Sequence, residues 1–121
     1  MKKNVLIIGA GGVAQVVAHK CAQNNVVLGE ISIASRTLAK CEAIAASVEE
    51  KQAWQQPAKL HCYQLDALDV AATVDLIRAT QAQIVINVGS AFLNMSVLSA
   101  CIEAGVAYLD TAIHEDPAKI C

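Results

Sequence analysis

Three of the six glycines in this chain fall within four consecutive positions, Gly9-Ala10-Gly11-Gly12, directly after the apolar run Val5-Leu6-Ile7-Ile8. A short, uninterrupted apolar run of this kind reads as a strand buried on both faces, as in a parallel sheet covered by helices. Val13, Val16, Val17 and Cys21 then recur at helical spacing, so the glycines stand at a strand–turn–helix junction. Gly9 to Ala14 matches G-x-G-x-x-A, a variant of the dinucleotide-binding fingerprint, in the setting that fingerprint requires. Gly9 permits the tight turn, Gly11 leaves room for a pyrophosphate, and the small Ala14 lets the helix lie close to the strand. The unpaired N–H groups of Gly12, Val13 and their neighbours then face the phosphates at the positive end of the helix. The plain alternative is a tight turn that binds nothing.

The same alternation continues along the chain. Strands are expected at Asn4–Ile8, Gly29–Ala34, Leu60–Leu65, Ile84–Val88 and Val106–Leu109. Between them, Leu38/Cys41/Ile44/Ala45/Val48, Val70/Val74/Ile77 and Met95/Leu98/Cys101/Ile102 mark a second, third and fourth helix, the last ended by Gly105. Repeated βαβ units predict a doubly wound, Rossmann-type parallel sheet of five strands in the order 3-2-1-4-5, with helices on both faces in a three-layer α/β/α arrangement. The polar stretch Glu49–Lys59 reads as a connection, with Trp54 over the sheet edge. At 121 residues this is one domain, too short to join a cofactor domain to a substrate domain.

Composition removes several function classes. No apolar run reaches the roughly eighteen residues of a membrane span. A net charge of −2 with interspersed signs argues against nucleic acid or a membrane surface as partner. Five widely spaced cysteines (Cys21, Cys41, Cys62, Cys101 and Cys121), with no C-x-x-C pair and no leader pattern after Met1, suggest reduced core thiols in a cytoplasmic protein. His19, His61 and His114 cluster with none of them, so no metal site is expected. An S-adenosylmethionine methyltransferase usually carries acids at the ends of strands one and two, and this chain has none there.

The end of strand two bears on the choice of dinucleotide. An NAD site places Asp or Glu there to accept from the ribose 2′-OH, whereas this chain reads Ser35-Arg36-Thr37. The Arg36 fork pairs with a 2′-phosphate, with hydroxyls on either side, so NADP is favoured. The alternative is that Ser35 or Thr37 caps the second helix and Arg36 is solvated. Other strand ends carry further candidates. Asp66-Ala67 borders the adenine, or Asp66 caps the third helix in competition with Asp69. Asn87-Val88-Gly89-Ser90 borders the nicotinamide half, and Phe92 either walls the ring or fills the core. Asp110-Thr111 faces substrate or is structural, and His114-Glu115-Asp116 has no spaced ligand partner.

The runs VLIIGAGGVAQVVAHK, ISIASRT, LDALD, VINVGSAF and YLDTA together resemble the saccharopine dehydrogenase superfamily, and within it the carboxynorspermidine-forming branch. The glycine turn is generic; SRT after strand two together with AYLDTA is more specific. The resemblance covers essentially the whole chain as the cofactor domain. It implies an NADPH-dependent reductive condensation in polyamine synthesis, by a homodimeric parent protein. Aspartate β-semialdehyde and a diamine (1,3-diaminopropane or putrescine) form an imine, which hydride reduces to carboxynorspermidine or carboxyspermidine. The implied cofactor residues are Gly9, Gly11, Gly12 and Val13, then Ser35, Arg36 and Thr37, then Asp66, with Asn87-Val88-Gly89 and Asp110-Thr111 at the inner rim.

The family's substrate-binding and dimerisation region has no counterpart here, so no catalytic residue carries over. Asp116 and Pro117 read as the start of a fifth helix with only four residues after them. Residues 1–121 are therefore expected to be a truncated dinucleotide-binding domain, inactive alone. The alternatives are a saccharopine-forming or saccharopine-cleaving enzyme of lysine metabolism, and a stand-alone dinucleotide-sensing module without turnover.

Overall fold

A computed structural model describes residues 2–110. The strands are β1 (Lys3–Ile8), β2 (Leu28–Ser35), β3 (His61–Gln64), β4 (Ile84–Asn87) and β5 (Ala107–Asp110). The helices are α1 (Gly12–Gln23), α2 (Leu38–Glu50), α3 (Val70–Thr80) and α4 (Asn94–Ala104), the last preceded by a 3₁₀ turn over Ala91–Leu93. All strand pairs are parallel and the order is β3-β2-β1-β4-β5, the Rossmann-type arrangement the sequence predicts. Elements agree with expectation to within a residue or so at their ends. The 3₁₀ turn is additional: Ser90 Oγ accepts from Phe92 N at 3.2 Å, a local bond that no apolar period announces.

Side-chain alternation along β1 divides the core into two. Val5 and Ile7 face α1 and α2 together with Ile31, Ile33, Ala14, Ala18, Cys41, Ile44 and Val48. Leu6 and Ile8 face α3 and α4 with Ala34, Val74, Ile77, Val85, Val97 and Ala100. Both faces of β1 are therefore buried, which is why its run is apolar without interruption. The layers are filled by aliphatic side chains. Phe92 lies 89% exposed and is not part of the core. Trp54 is half-buried against the α1/α2 side, its indole N–H donating to Glu49 Oε1 at 2.9 Å.

Polar side chains fasten the connections. Asn25, 4% exposed, donates to Gln56 O at 2.8 Å and accepts Gln56 N at 2.9 Å, pinning the 51–60 segment beneath the end of α1. Asp69 caps α3, its Oδ1 accepting from Ala72 N at 3.1 Å. Gly105 ends α4 at φ 73°, as expected of a glycine at that place.

The turn after β1 has the strictest steric requirement. Gly9 has φ +121°, and a Cβ there would stand 2.8 Å from Gly89 N and 3.0 Å from the Val88 carbonyl carbon. At Gly11 and Gly12 a Cβ would meet nothing within 4 Å. Gly9→Ala is therefore expected to lower the unfolding free energy by at least ~2 kcal/mol. Gly11→Ala and Gly12→Ala should stay within ~0.5 kcal/mol of the parent, the usual range where no contact is disturbed. Urea unfolding of the three variants checks the contrast.

Among the described residues Cys21, Cys41 and Cys101 are buried free thiols and Cys62 is half-buried. Burial pushes the Cys21 and Cys101 thiols from 9.0 up to about 11. A thiol whose folded value lies above its unfolded one contributes stability below the unfolded value and loses it as pH rises through the folded one. Unfolding free energy should accordingly fall between pH 9 and about 11, and Cys21→Ala/Cys101→Ala should flatten that fall. Denaturant titrations across this range measure it.

Candidate functional site

Because every strand is parallel, all five carboxyl ends meet at one edge of the sheet, where open α/β sheets bind ligands. A groove of about 510 Å³ lies there. Ile8, Gly9, Ala10 and Gly11 from the first turn form one part of its lining, and Ser35, Arg36, Thr37 and Lys40 from the β2–α2 junction another. Leu65, Ala67 and Leu68 follow β3, and Ser90, Phe92 and Leu93 follow β4. Leu68 and Phe92, 56% and 89% exposed, give the groove an apolar rim suited to flat rings.

Gly11 occupies the N-cap of α1 with no side-chain capping bond and no acid in the first turn. The helix start thus presents uncapped N–H groups and its positive dipole end to the groove. Gly12 lines a shallower neighbouring hollow with Gly11, Gln15 and Lys40. Val13 is 53% exposed on the first turn, and Ala14 is fully buried, letting α1 rest on the sheet.

Charge gathers at the β2–α2 junction. Thr37 is the N-cap of α2, yet its side chain makes no capping bond and no acid lies in that first turn either. Lys40 stands in the same turn, where a cation opposes the helix dipole. Among the described residues the one basic–acidic side-chain contact is His61 Nε2 to Glu30 Oε2, at 3.0 Å, so neither Arg36 nor Lys40 has a carboxylate partner there. Two cations and a helix start without neutralisation make a receptor for a dianion. Ser35 spends its hydroxyl on the turn itself, accepting from Thr37 N at 3.2 Å and donating to Thr37 O at 3.0 Å.

Several of the expected site residues stand outside the groove lining. Asn87-Val88-Gly89 does not line the groove but supports it. Asn87 is fully buried, its Nδ2 donating to Asn94 Oδ1 at 3.0 Å and lying 3.4 Å from Tyr108 Oη, while its Oδ1 accepts from Gly89 N at 3.0 Å. Inward hydrogen bonds engage both the nitrogen and the oxygen of the amide, and Ser90, Phe92 and Leu93 line the groove. Val88 N donates to Ile8 O at 2.8 Å, and Gly89 is the backbone against which Gly9 packs.

Asp66 neither caps α3 nor lines the main groove. Its Oδ1 accepts from Leu68 N at 3.1 Å, and it sits in a small adjoining hollow with Arg36, Gln64 and Leu65. Ala67 is brought into the groove. Asp110 accepts from Tyr108 Oη at 2.9 Å outside the groove; burial raises the Tyr108 phenol, and its bond to Asn87 opposes that rise. Thr111, His114, Glu115 and the expected helix start at Asp116-Pro117 lie outside the described residues.

Sequence reasoning missed Lys40, whose signal was its place four residues after Arg36, one turn into α2. It also missed the apolar lining by Leu65, Leu68 and Leu93, which periodicity alone could not separate from core. Among the described residues no group of three or more His, Cys, Asp or Glu could hold a metal ion, and no helix is long and apolar enough to cross a membrane.

Parallel sheet, glycine turn at the start of α1 and cation-bearing β2–α2 junction together define a dinucleotide-binding α/β domain. The profile of the saccharopine dehydrogenase NADP binding domain matches residues 5–120, and the chain belongs to that family. It is 50% identical over 113 residues to a carboxynorspermidine synthase of Vibrio alginolyticus, covering 93% of this chain and 27% of the relative. A carboxyaminopropylagmatine dehydrogenase of Synechocystis is 44% identical over 113 residues, with 93% of this chain and 26% of the relative covered. The structure is similar to apo saccharopine dehydrogenase (L-Glu forming) of Saccharomyces cerevisiae, with a TM-score of 0.71 and 25% identity over 96% of this chain and 23% of that one. The chain thus spans about a quarter of the length of these relatives.

Losing the Asn87 amide would leave half-buried groups on α4, β5 and the Gly89 turn each one hydrogen bond short. Asn87→Ala is expected to cost ~1–3 kcal/mol, the range for removing one side of a hydrogen bond and leaving its partner unsatisfied, as read by urea unfolding.

Proposed function

We propose that this chain holds NADP(H) in the groove at the carboxyl ends of its strands. The pyrophosphate lies over Gly9–Gly12, the 2′-phosphate against Arg36, Thr37 and Lys40, and the nicotinamide half toward Ser90 and Phe92. The observation that carries this reading is the β2–α2 junction, where Arg36 stands in place of the ribose-binding acid and neither Arg36 nor Lys40 has a carboxylate partner among the described residues. A ribose 2′-OH would find no acceptor carboxylate in the groove lining, whereas a 2′-phosphate finds two cations and a helix start.

For the parent protein we propose an oxidoreductase that condenses aspartate β-semialdehyde with an amine and reduces the resulting imine. Bound NADPH would supply the hydride for that reduction. Identities of 44–50% to a carboxynorspermidine synthase and a carboxyaminopropylagmatine dehydrogenase support this reading over saccharopine chemistry, for which the likeness stands at 25%. The two relatives are named for products that differ in their amine part. In this proposal the chain contributes the coenzyme site of a homodimeric cytoplasmic enzyme, and the substrate groups come from the region that the relatives carry beyond the matched quarter.

Arg36→Ala tests the coenzyme assignment. A charge-assisted hydrogen bond contributes about 1.5–3 kcal/mol, so the ratio of NADH to NADPH dissociation constants should fall by roughly 10- to 100-fold. An unchanged ratio, measured by calorimetry or coenzyme fluorescence, sinks the assignment. The 121-residue chain is expected to bind NADPH without turning over aspartate β-semialdehyde and 1,3-diaminopropane or putrescine; robust turnover would overthrow that division of labour.

A further inference from the structure

The Arg36 backbone is held from both sides while its guanidinium makes no ion pair among the described residues. On the inner side stands Ser35. Its hydroxyl has one proton and two lone pairs, and all three have partners. The proton goes to Thr37 O at 3.0 Å, one lone pair takes Thr37 N at 3.2 Å, and the other takes the Cys41 thiol at 3.3 Å. A phosphate oxygen accepts hydrogen bonds, and Ser35 has no further proton to give unless it releases the Thr37 carbonyl. On the outer side Gln64 Nε2 donates to Arg36 O at 3.1 Å. Gln64 is the register partner of Ser35 across β2 and β3, and the next residue, Leu65, donates its N–H to Ser35 O at 2.8 Å. The end of β3 therefore grips two successive carbonyls, those of Ser35 and Arg36.

We propose that Ser35 and Gln64 are positioning residues for coenzyme choice: they fix the Arg36 backbone and act on a 2′-phosphate only through the Arg36 guanidinium. The inference rests on the NADP reading above. It separates residues that touch the phosphate, Arg36 with Thr37 and Lys40, from residues that aim Arg36. A long cationic side chain gives up rotamer freedom when it binds, and a backbone fixed beforehand leaves less to be lost in forming the fork. The contribution of the clamp is thus confined to the coenzyme that carries the extra phosphate.

A double-mutant cycle in the full chain decides the matter, with NADPH and NADH dissociation constants as the readout. Ser35→Ala and Gln64→Met (similar in size, without the donor) should each weaken NADPH about 3- to 10-fold, the range of a single hydrogen bond. NADH should stay within about 2-fold, the level of no specific effect. In an Arg36→Ala background the same two substitutions should change NADPH binding by less than about 2-fold, because the group they aim is gone. Ser35→Thr, which keeps the hydroxyl, should restore tight NADPH binding.

Three results overturn the proposal. If Ser35→Ala still carries its full penalty without the Arg36 guanidinium, Ser35 touches the phosphate directly. If NADH weakens in parallel with NADPH, the two residues serve only the fold. If neither single variant affects NADPH, no clamp exists. An Arg36→Ala chain whose coenzyme ratio is unchanged defeats the NADP reading as well, and that result is visible in the single variant before any cycle is built.

Discussion

The backbone of Gly9 lies against the backbone of Val88 and Gly89, and the binding edge of the molecule is arranged around that contact. β1 is the central strand, paired with β2 on one side and β4 on the other. Where it ends, Gly9 N donates to Ala34 O at 2.9 Å and Ile8 O accepts Val88 N at 2.8 Å, so the turn is tied to both neighbours at once. Only a residue without a Cβ fits, at a φ that side chains avoid. Holding the turn this close lets α1 begin directly over the end of the sheet, with its uncapped N–H groups facing the groove.

A second constraint is electrostatic. α2 begins with no side-chain cap and no acid, next to Arg36 and with Lys40 in its first turn. By the ordinary preferences of helix ends each of these choices is unfavourable, since cations belong at the other terminus. Their coincidence at the rim of one groove gives the arrangement chemical meaning, because an anion at that position would relieve all of them together. Asp69, by contrast, caps α3 in the usual way, where no groove requires otherwise.

Much of the candidate groove was legible in the sequence because its determinants are local. The glycine turn and the Ser35-Arg36-Thr37 junction each lie within a few residues, and the βαβ rhythm puts them at the same edge. What was not legible depends on contacts between distant segments. Asn87 is a polar residue at a strand end, which from sequence alone resembles a ligand-binding residue. Its burial follows from Asn94 and Tyr108, contributed by α4 and β5, which take up its amide. Ser35 lines the groove, and the bonds of its hydroxyl to Thr37 and to the Cys41 thiol are contacts that the sequence does not announce. Asp66 and Asp69 are equally good caps on paper, and their local hydrogen bonds separate them.

Sequence by itself determined the layer architecture, the strand order, the place of the dinucleotide turn and the cationic character of the β2–α2 junction. These follow from apolar periodicity, from the steric demands of glycine and from side-chain charge, which act over a few residues at a time. Tertiary structure alone decided which polar groups face the groove and which face inward. A side chain with unpaired hydrogen-bonding capacity turns toward whatever partner the fold brings near, and that partner is set by segments far away in the chain. Asn87 was drawn into the scaffold in this way, while Lys40 and the rim of Leu68 and Phe92 were brought to the groove.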